Sequence, residues 1–201
     1  GMPVNPRVLN QDRAVAAAHY GLDATVPVVL FVGGSLGAAR INELAIAAGQ
    51  LDARAFQVLH LCGDRFLDDV ASAYGTLPKG VKLVGYENQM GLAYAMADLV
   101  VCRAGSSTLA ELCAVGCASL LIPSPHVAEN HQEANARDLA QSGAAEVLVE
   151  QGWDVNTALQ QLTNIMSDPA RRQNMGIAAK GLARLDAAVA AADIVERVLS
   201  Q

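Results

Sequence analysis

The chain has 201 residues, 52% apolar and 17% charged, enough apolar material for one sizeable core and too much for a disordered segment. Its net charge of −6 argues against a nucleic-acid groove or a polybasic membrane surface as its main role. Cations are scarce, so any bound phosphate is expected to rest mostly on backbone dipoles. The longest apolar stretch, 112–122, is too short to span a bilayer and contains Gly116, and no signal-peptide pattern opens the chain. Cys62, Cys102, Cys113 and Cys117 form no CxxC and no zinc spacing with histidine, so they read as buried reduced thiols of a cytoplasmic protein.

The first 25 residues, with Pro3 and Pro6 and few large apolar groups, read as an entry segment with a short helix. Strands are then expected at 27–32, 56–61, 81–84, 99–102, 118–122 and 146–149. Helical patterns lie between them at 38–48, 66–74, 89–97, 108–115 and 131–141. The strand runs are apolar on both parities, as in a parallel sheet covered on both faces. This alternation predicts an α/β, Rossmann-like doubly wound domain. Beyond Trp153 the pattern becomes helical, at 154–166 and 170–185, interrupted by Ser167-Asp168-Pro169. An alanine-rich amphipathic segment, 187–199, follows.

Three constellations carry candidate chemistry. Gly33-Gly34-Ser35-Leu36-Gly37 follows the first strand and opens a helix, where glycines admit close backbone approach and Ser35 offers a hydroxyl to a phosphate oxygen. A tight turn with Ser35 as helix cap explains the same residues without a ligand. The segment is neither G-x-G-x-x-G nor a P-loop.

The second is Cys102-Arg103-Ala104-Gly105-Ser106-Ser107-Thr108-Leu109-Ala110-Glu111, a buried strand passing through small residues into a helix. Such a start presents unpaired amides and a positive dipole end to phosphate, while Glu111, one turn in, reaches for ribose hydroxyls. Thr108 to Glu111 also fits a capping box, which would spend Glu111 on a backbone amide. In the third, a proline loop from Pro123 enters a helix carrying His131, Gln132 and Asn135 on one side, groups suited to sugar hydroxyls. A solvated helix start is the plain alternative. His126, His19 and His60 have no nucleophile paired with them in the sequence. No metal-ligand spacing occurs, so no cofactor is expected and no catalytic residue is assigned.

In this order and spacing, G-G-S-x-G-A, R-x-G-x-x-T-x-x-E and H-Q-x-x-N-A resemble the C-terminal half of the MurG family, and the likeness runs from Gly1-Met2-Pro3-Val4 to the last helices. That family moves N-acetylglucosamine from UDP to undecaprenyl-linked muramoyl-pentapeptide in peptidoglycan synthesis, at the inner face of the cell membrane. The resemblance implies a glycosyltransferase B arrangement of which this chain is the donor half. It implies contacts from Ser35 to the diphosphate, from Tyr86, Glu87 and Met90 around uracil, and from Ser106 and Thr108 near the phosphates. It further implies Glu111 at the ribose and His131, Gln132 and Asn135 at the sugar. Residues 1–25 then form a linker and entry helix, 26–185 the donor-binding domain, and 186–201 a helix packing towards an N-terminal domain. That other domain carries the lipid-linked acceptor and the base, so this chain alone binds UDP-N-acetylglucosamine without completing transfer, by an inverting, metal-free reaction. Met2 and Asn5 stand where the family commonly has Asn and Arg, with Arg7 as the substitute. Self-association through an exposed cleft face is a further expectation. The alternatives are a donor subunit of another nucleotide-sugar transferase, of glycolipid or two-chain type, and a non-catalytic nucleotide-binding module.

Overall fold

The computed structural model describes residues 1–34, 37–125 and 131–199. Six strands run through it: β1 (Val28–Val32), β2 (Gln57–Leu61), β3 (Val81–Val84), β4 (Leu99–Cys102), β5 (Ser119–Leu121) and β6 (Ala145–Val147). They form one sheet in the order β3-β2-β1-β4-β5-β6, every neighbouring pair parallel. The first five lie within the runs expected from the sequence, and β6 starts one residue early and stops at Val147.

Alternate side chains of a strand point to opposite faces, and here both faces are covered. Val28, Leu30, Leu59, Leu61, Val100, Cys102 and Leu121 share one buried core. Val29, Phe31, Val58, Leu99, Val101, Leu120 and Ile122 share the other. Helices α1 (Arg13–Tyr20), α4 (Met90–Met96), α5 (Ser106–Val115) and α6 (His131–Gln141) cover the first face. The second is covered by α2 (Ala39–Gly49), α7 (Val155–Met166) and Met175 of α8 (Pro169–Gly181). Val70 and Tyr74 of α3 (Leu67–Tyr74) close a smaller cluster with Cys62. Helix α9 (Ala187–Leu199) leaves Val189, Val195 and Val198 exposed. Among the described residues no helix is long and apolar enough to cross a membrane.

Local chemistry sets the helix ends. Asp12 caps α1 through the amides of Ala14 and Val15, and Asp154 and Asp168 cap α7 and α8, the latter with Pro169 in the first turn. Helix α5 stops at Gly116, whose φ of 77° suits glycine. Arg13 then joins α1 to the amino edge of the sheet. It donates to the carbonyls of Ala24 and Met96 and pairs with Asp98 at 2.8 Å, and the same Asp98 oxygen accepts the Val28 amide at 2.8 Å.

Candidate functional site

Strand order reverses at β1, which has β2 on one side and β4 on the other. The connections leaving β1 and β4 therefore diverge over opposite faces, and a crevice opens beyond their carboxyl ends. A cleft of about 430 Å³ lies there. Its walls come from Gly33 and Gly34 after β1, from Gly85, Tyr86, Glu87, Met90 and Tyr94 after β3, and from Arg103, Gly105, Thr108 and Glu111 after β4; Gln132 of α6 also lines it.

The glycine turn after β1 is closed by the Gly37 amide, which donates to the Gly34 carbonyl at 3.0 Å. A β-carbon on Gly33 would stand 2.3 Å from the Ala38 nitrogen, and one on Gly37, at φ 68°, would stand 2.4 Å from the Cys62 carbonyl oxygen. Only glycine fits that approach. Ser35, the expected diphosphate contact, lies outside the described residues, as does His126.

Across the cleft, α5 begins at Ser106 with Gly105 as its cap, and no side chain bonds the cap amides. Leu109 is the first residue whose amide turns back into the helix, onto the Gly105 carbonyl at 3.0 Å. The amides of Ser106, Ser107 and Thr108 thus have no acceptor within the helix, and their dipoles point out of its end. This start lies two residues before the expected 108 and removes the capping box that stood as the alternative reading of Glu111. Small, hydroxyl-bearing Ser106 and Ser107 enter the helix, so Thr108 falls inside the first turn and Glu111 too far along to reach back to a cap amide. The Glu111 carboxylate instead accepts a hydrogen bond from the Tyr94 phenol, Oη to Oε2 at 2.8 Å.

Met90 and Tyr94 are one turn apart on α4 and both face the cleft. Tyr86 is exposed at the mouth. The Glu87 side chain is only 8% exposed and acts as a local anchor. Its carboxylate accepts from the Tyr20 phenol at 2.8 Å and the Gln89 amide at 2.7 Å, with His19 Nε2 at 3.5 Å. Burial, reinforced by the bond to Glu87 and its charge, raises the Tyr20 phenol well above its ordinary range. Gln132 accepts the Ser124 amide on Oε1 at 2.9 Å, so the group it offers a ligand is its Nε2 donor.

Of the ten residues singled out by sequence, Tyr86, Glu87, Met90, Thr108, Glu111 and Gln132 line this cleft. Ser106 and Asn135 line a neighbouring hollow beside Met2 and Val4 instead. Asn135 Nδ2 points there to the Ala104 carbonyl at 3.4 Å and to Ser106 Oγ at 3.5 Å. His131 stands exposed at the head of α6, outside the lining. Two wall residues with polar side chains, Arg103 and Tyr94, received no role from the sequence. Arg103 pairs with Glu150 at 2.5 Å and donates to the Ile122 carbonyl at 3.0 Å, bracing the cleft floor. Tyr94 had one available signal: it follows Met90 by four residues in a helix otherwise made of small and apolar groups.

A parallel sheet in this order, with a crevice at the strand reversal, is a Rossmann-like domain, and the solved structures it aligns with make it one half of the glycosyltransferase B architecture. It aligns with the crystal structure of Acinetobacter baumannii MurG at a TM-score of 0.79, covering 96% of this chain and 55% of that one at 28% identity. A sucrose-phosphate synthase from Thermosynechococcus elongatus shares the fold at a TM-score of 0.66, over 98% of this chain and 52% of that one, at 19% identity. Residues 28–198 match the glycosyltransferase family 28 C-terminal domain, and the chain belongs to that family. Its curated relatives include UDP-N-acetylglucosamine--N-acetylmuramyl-(pentapeptide) pyrophosphoryl-undecaprenol N-acetylglucosamine transferases. That of Caldanaerobacter subterraneus subsp. tengcongensis is 36% identical over 98% of this chain and 56% of its own length. That of Xanthomonas axonopodis pv. citri is 43% identical over 85% of this chain and 41% of its own length. The chain spans about half the length of the curated relatives it matches.

Proposed function

We propose that this chain is the donor-binding half of an inverting N-acetylglucosaminyltransferase and holds UDP-N-acetylglucosamine in the cleft between β1 and β4. The observation that carries the reading is the open start of α5, with three outward amides and Glu111 one turn behind them on the same wall. A diphosphate supplies the charge that such a helix end favours, and the glycine turn opposite lets backbone approach it closely. A ribose beyond the phosphates falls beside Glu111, a charged acceptor for two hydroxyls. Uracil then lies against Tyr86, Met90 and the backbone around Glu87. The sugar extends towards Gln132, with His131 and Asn135 on the same helix.

Transfer in this arrangement begins when an acceptor hydroxyl attacks the anomeric carbon opposite the diphosphate. The bond from that carbon to the phosphate oxygen breaks as the new glycosidic bond forms, and the configuration inverts. The departing UDP carries its charge into the outward amides at the start of α5, dipoles already in place before the reaction. The proton of the acceptor goes to a base supplied from outside this chain, by a domain that also brings the lipid-linked acceptor at the inner face of the membrane. Residues 1–25 serve as the connection to that domain, 26–185 as the donor domain, and the exposed valines of 186–201 as its contact with the other half.

Calorimetric titration tests the proposal. Glu111→Gln keeps an acceptor for the Tyr94 phenol and removes the charge. A hydrogen bond to a charged group is worth about 1.5–3 kcal/mol, so UDP and UDP-N-acetylglucosamine should both bind about ten- to a hundredfold more weakly. The melting temperature should stay within a degree or two. Unchanged UDP affinity in that variant refutes the site.

A further inference from the structure

We infer that Tyr94 is a positioning residue for nucleoside recognition: its phenol holds the Glu111 carboxylate in the orientation that meets the ribose. The inference rests on the donor-site reading given above. Tyr94 is 4% exposed and belongs to the core packed under α4, yet its Oη reaches the cleft and donates to Glu111 Oε2 at 2.8 Å. The two residues come from different helices, Tyr94 from α4 and Glu111 from α5. Their bond lies in the lining of the cleft, beside the part assigned to the nucleoside.

The direction of this bond is settled by chemistry. Burial, then the charge and hydrogen bond of Glu111, with Cys102 and Cys117 adding to them, hold the phenol protonated well beyond its ordinary range. A protonated phenol facing a carboxylate can only donate. Glu111 is half-buried and makes no other hydrogen bond among the described residues, so Oε1 and the remaining lone pairs of Oε2 stay available to a ligand. A glutamate on an exposed helix face samples many rotamers, and each hydroxyl it binds must first freeze that freedom. Tyr94 removes it in advance. Preorganisation of this kind raises affinity without adding a contact to the ligand.

A buried phenol also needs an acceptor for its own sake, and that merely structural role predicts a different result. Tyr94→Phe keeps the ring in the core and deletes the tether. Titrations of the wild type, Tyr94→Phe, Glu111→Gln and the double variant are compared on two ligands, UDP and its dideoxyribose analogue lacking both ribose hydroxyls. Tyr94→Phe should weaken UDP by about three- to tenfold and leave the dideoxy ligand unchanged, and the double variant should bind UDP no worse than Glu111→Gln alone. UDP affinity equal to wild type in Tyr94→Phe overturns the positioning role. So does an equal loss on both ligands, or a loss that adds to that of Glu111→Gln. If instead the wild type itself binds UDP and the dideoxy ligand equally, the ribose reading of Glu111 fails first, and the role of Tyr94 with it.

Discussion

His60 lies fully buried in β2, and a substitution there should change how stability depends on pH. Its Nε2 faces Asn42 Oδ1 at 2.9 Å, and Asn42 Nδ2 donates to the Cys62 carbonyl at 3.1 Å, which fixes the amide orientation. Nε2 therefore carries the proton, and Nδ1 lies 3.2 Å from the Tyr74 phenol, whose single proton is shared between Nδ1 and the Ala45 carbonyl at 3.0 Å. Burial holds the imidazole pKa down at about 3, against an ordinary 6.5. The folded chain thus keeps His60 neutral at pH values where the unfolded chain protonates it. Above about pH 6.5 the two states bind the same number of protons, and the residue contributes no pH dependence. Below that, stability falls by about 1.4 kcal/mol per pH unit until the folded pKa is reached. Between neutrality and pH 5 the loss from this residue is about 2 kcal/mol.

His60→Gln keeps a donor towards Asn42 and removes the titration. Urea unfolding of both proteins at pH 7.5 and pH 5.0 is the assay, because every other titrating group is common to them and cancels. At pH 7.5 the variant should be less stable by about 1–3 kcal/mol, from altered packing and bonding at a buried polar site. By pH 5.0 that gap should have narrowed by about 2 kcal/mol. A gap that stays constant across this range would refute the neutral buried imidazole. The consequence reaches the cleft, because the Cys62 carbonyl that Asn42 holds is the one against which Gly37 of the glycine turn packs.

Two further outcomes are expected. Gln132→Ala should cost UDP-N-acetylglucosamine about two- to tenfold in calorimetric affinity, the worth of a neutral hydrogen bond, while UDP is hardly affected; equal losses would place Gln132 at the nucleotide. In Gly176→Ala the new β-carbon would stand 2.6 Å from the Gly116 carbonyl oxygen, where α8 meets the end of α5. Overpacking of this kind costs about 1–3 kcal/mol, so the melting temperature should drop by several degrees with UDP affinity intact, and an unchanged melting temperature would contradict the close approach.

The strands were readable from neighbours in the chain. Val28 to Val32 and Leu99 to Cys102 are apolar at every position, which in segments this short points to a sheet buried on both faces. The breaks between elements were readable for the same reason: Asp168-Pro169 and Gly116 act on backbone within a turn of themselves. The site was half readable. A glycine turn and an open helix start announce themselves as local patterns, and six of the ten chosen residues do line the cleft. The expected helix start at Thr108 was two residues late, and with it falls the capping box that stood as the alternative for Glu111, because its spacing is equally compatible with a helix that begins at Ser106.

What no local pattern carries is the pairing of polar groups across the fold. Arg13 meets Asp98 from 85 residues away, and Tyr94 meets Glu111 from a separate helix. Asn42 and His60 find each other only because α2 packs back over β2. Each pairing depends on strand order and helix placement, quantities set by the summed packing of two cores. The cleft has the same origin. It exists because β4 lies on the far side of β1 from β2, and that reversal is a property of the assembled sheet, absent from any one segment of the chain.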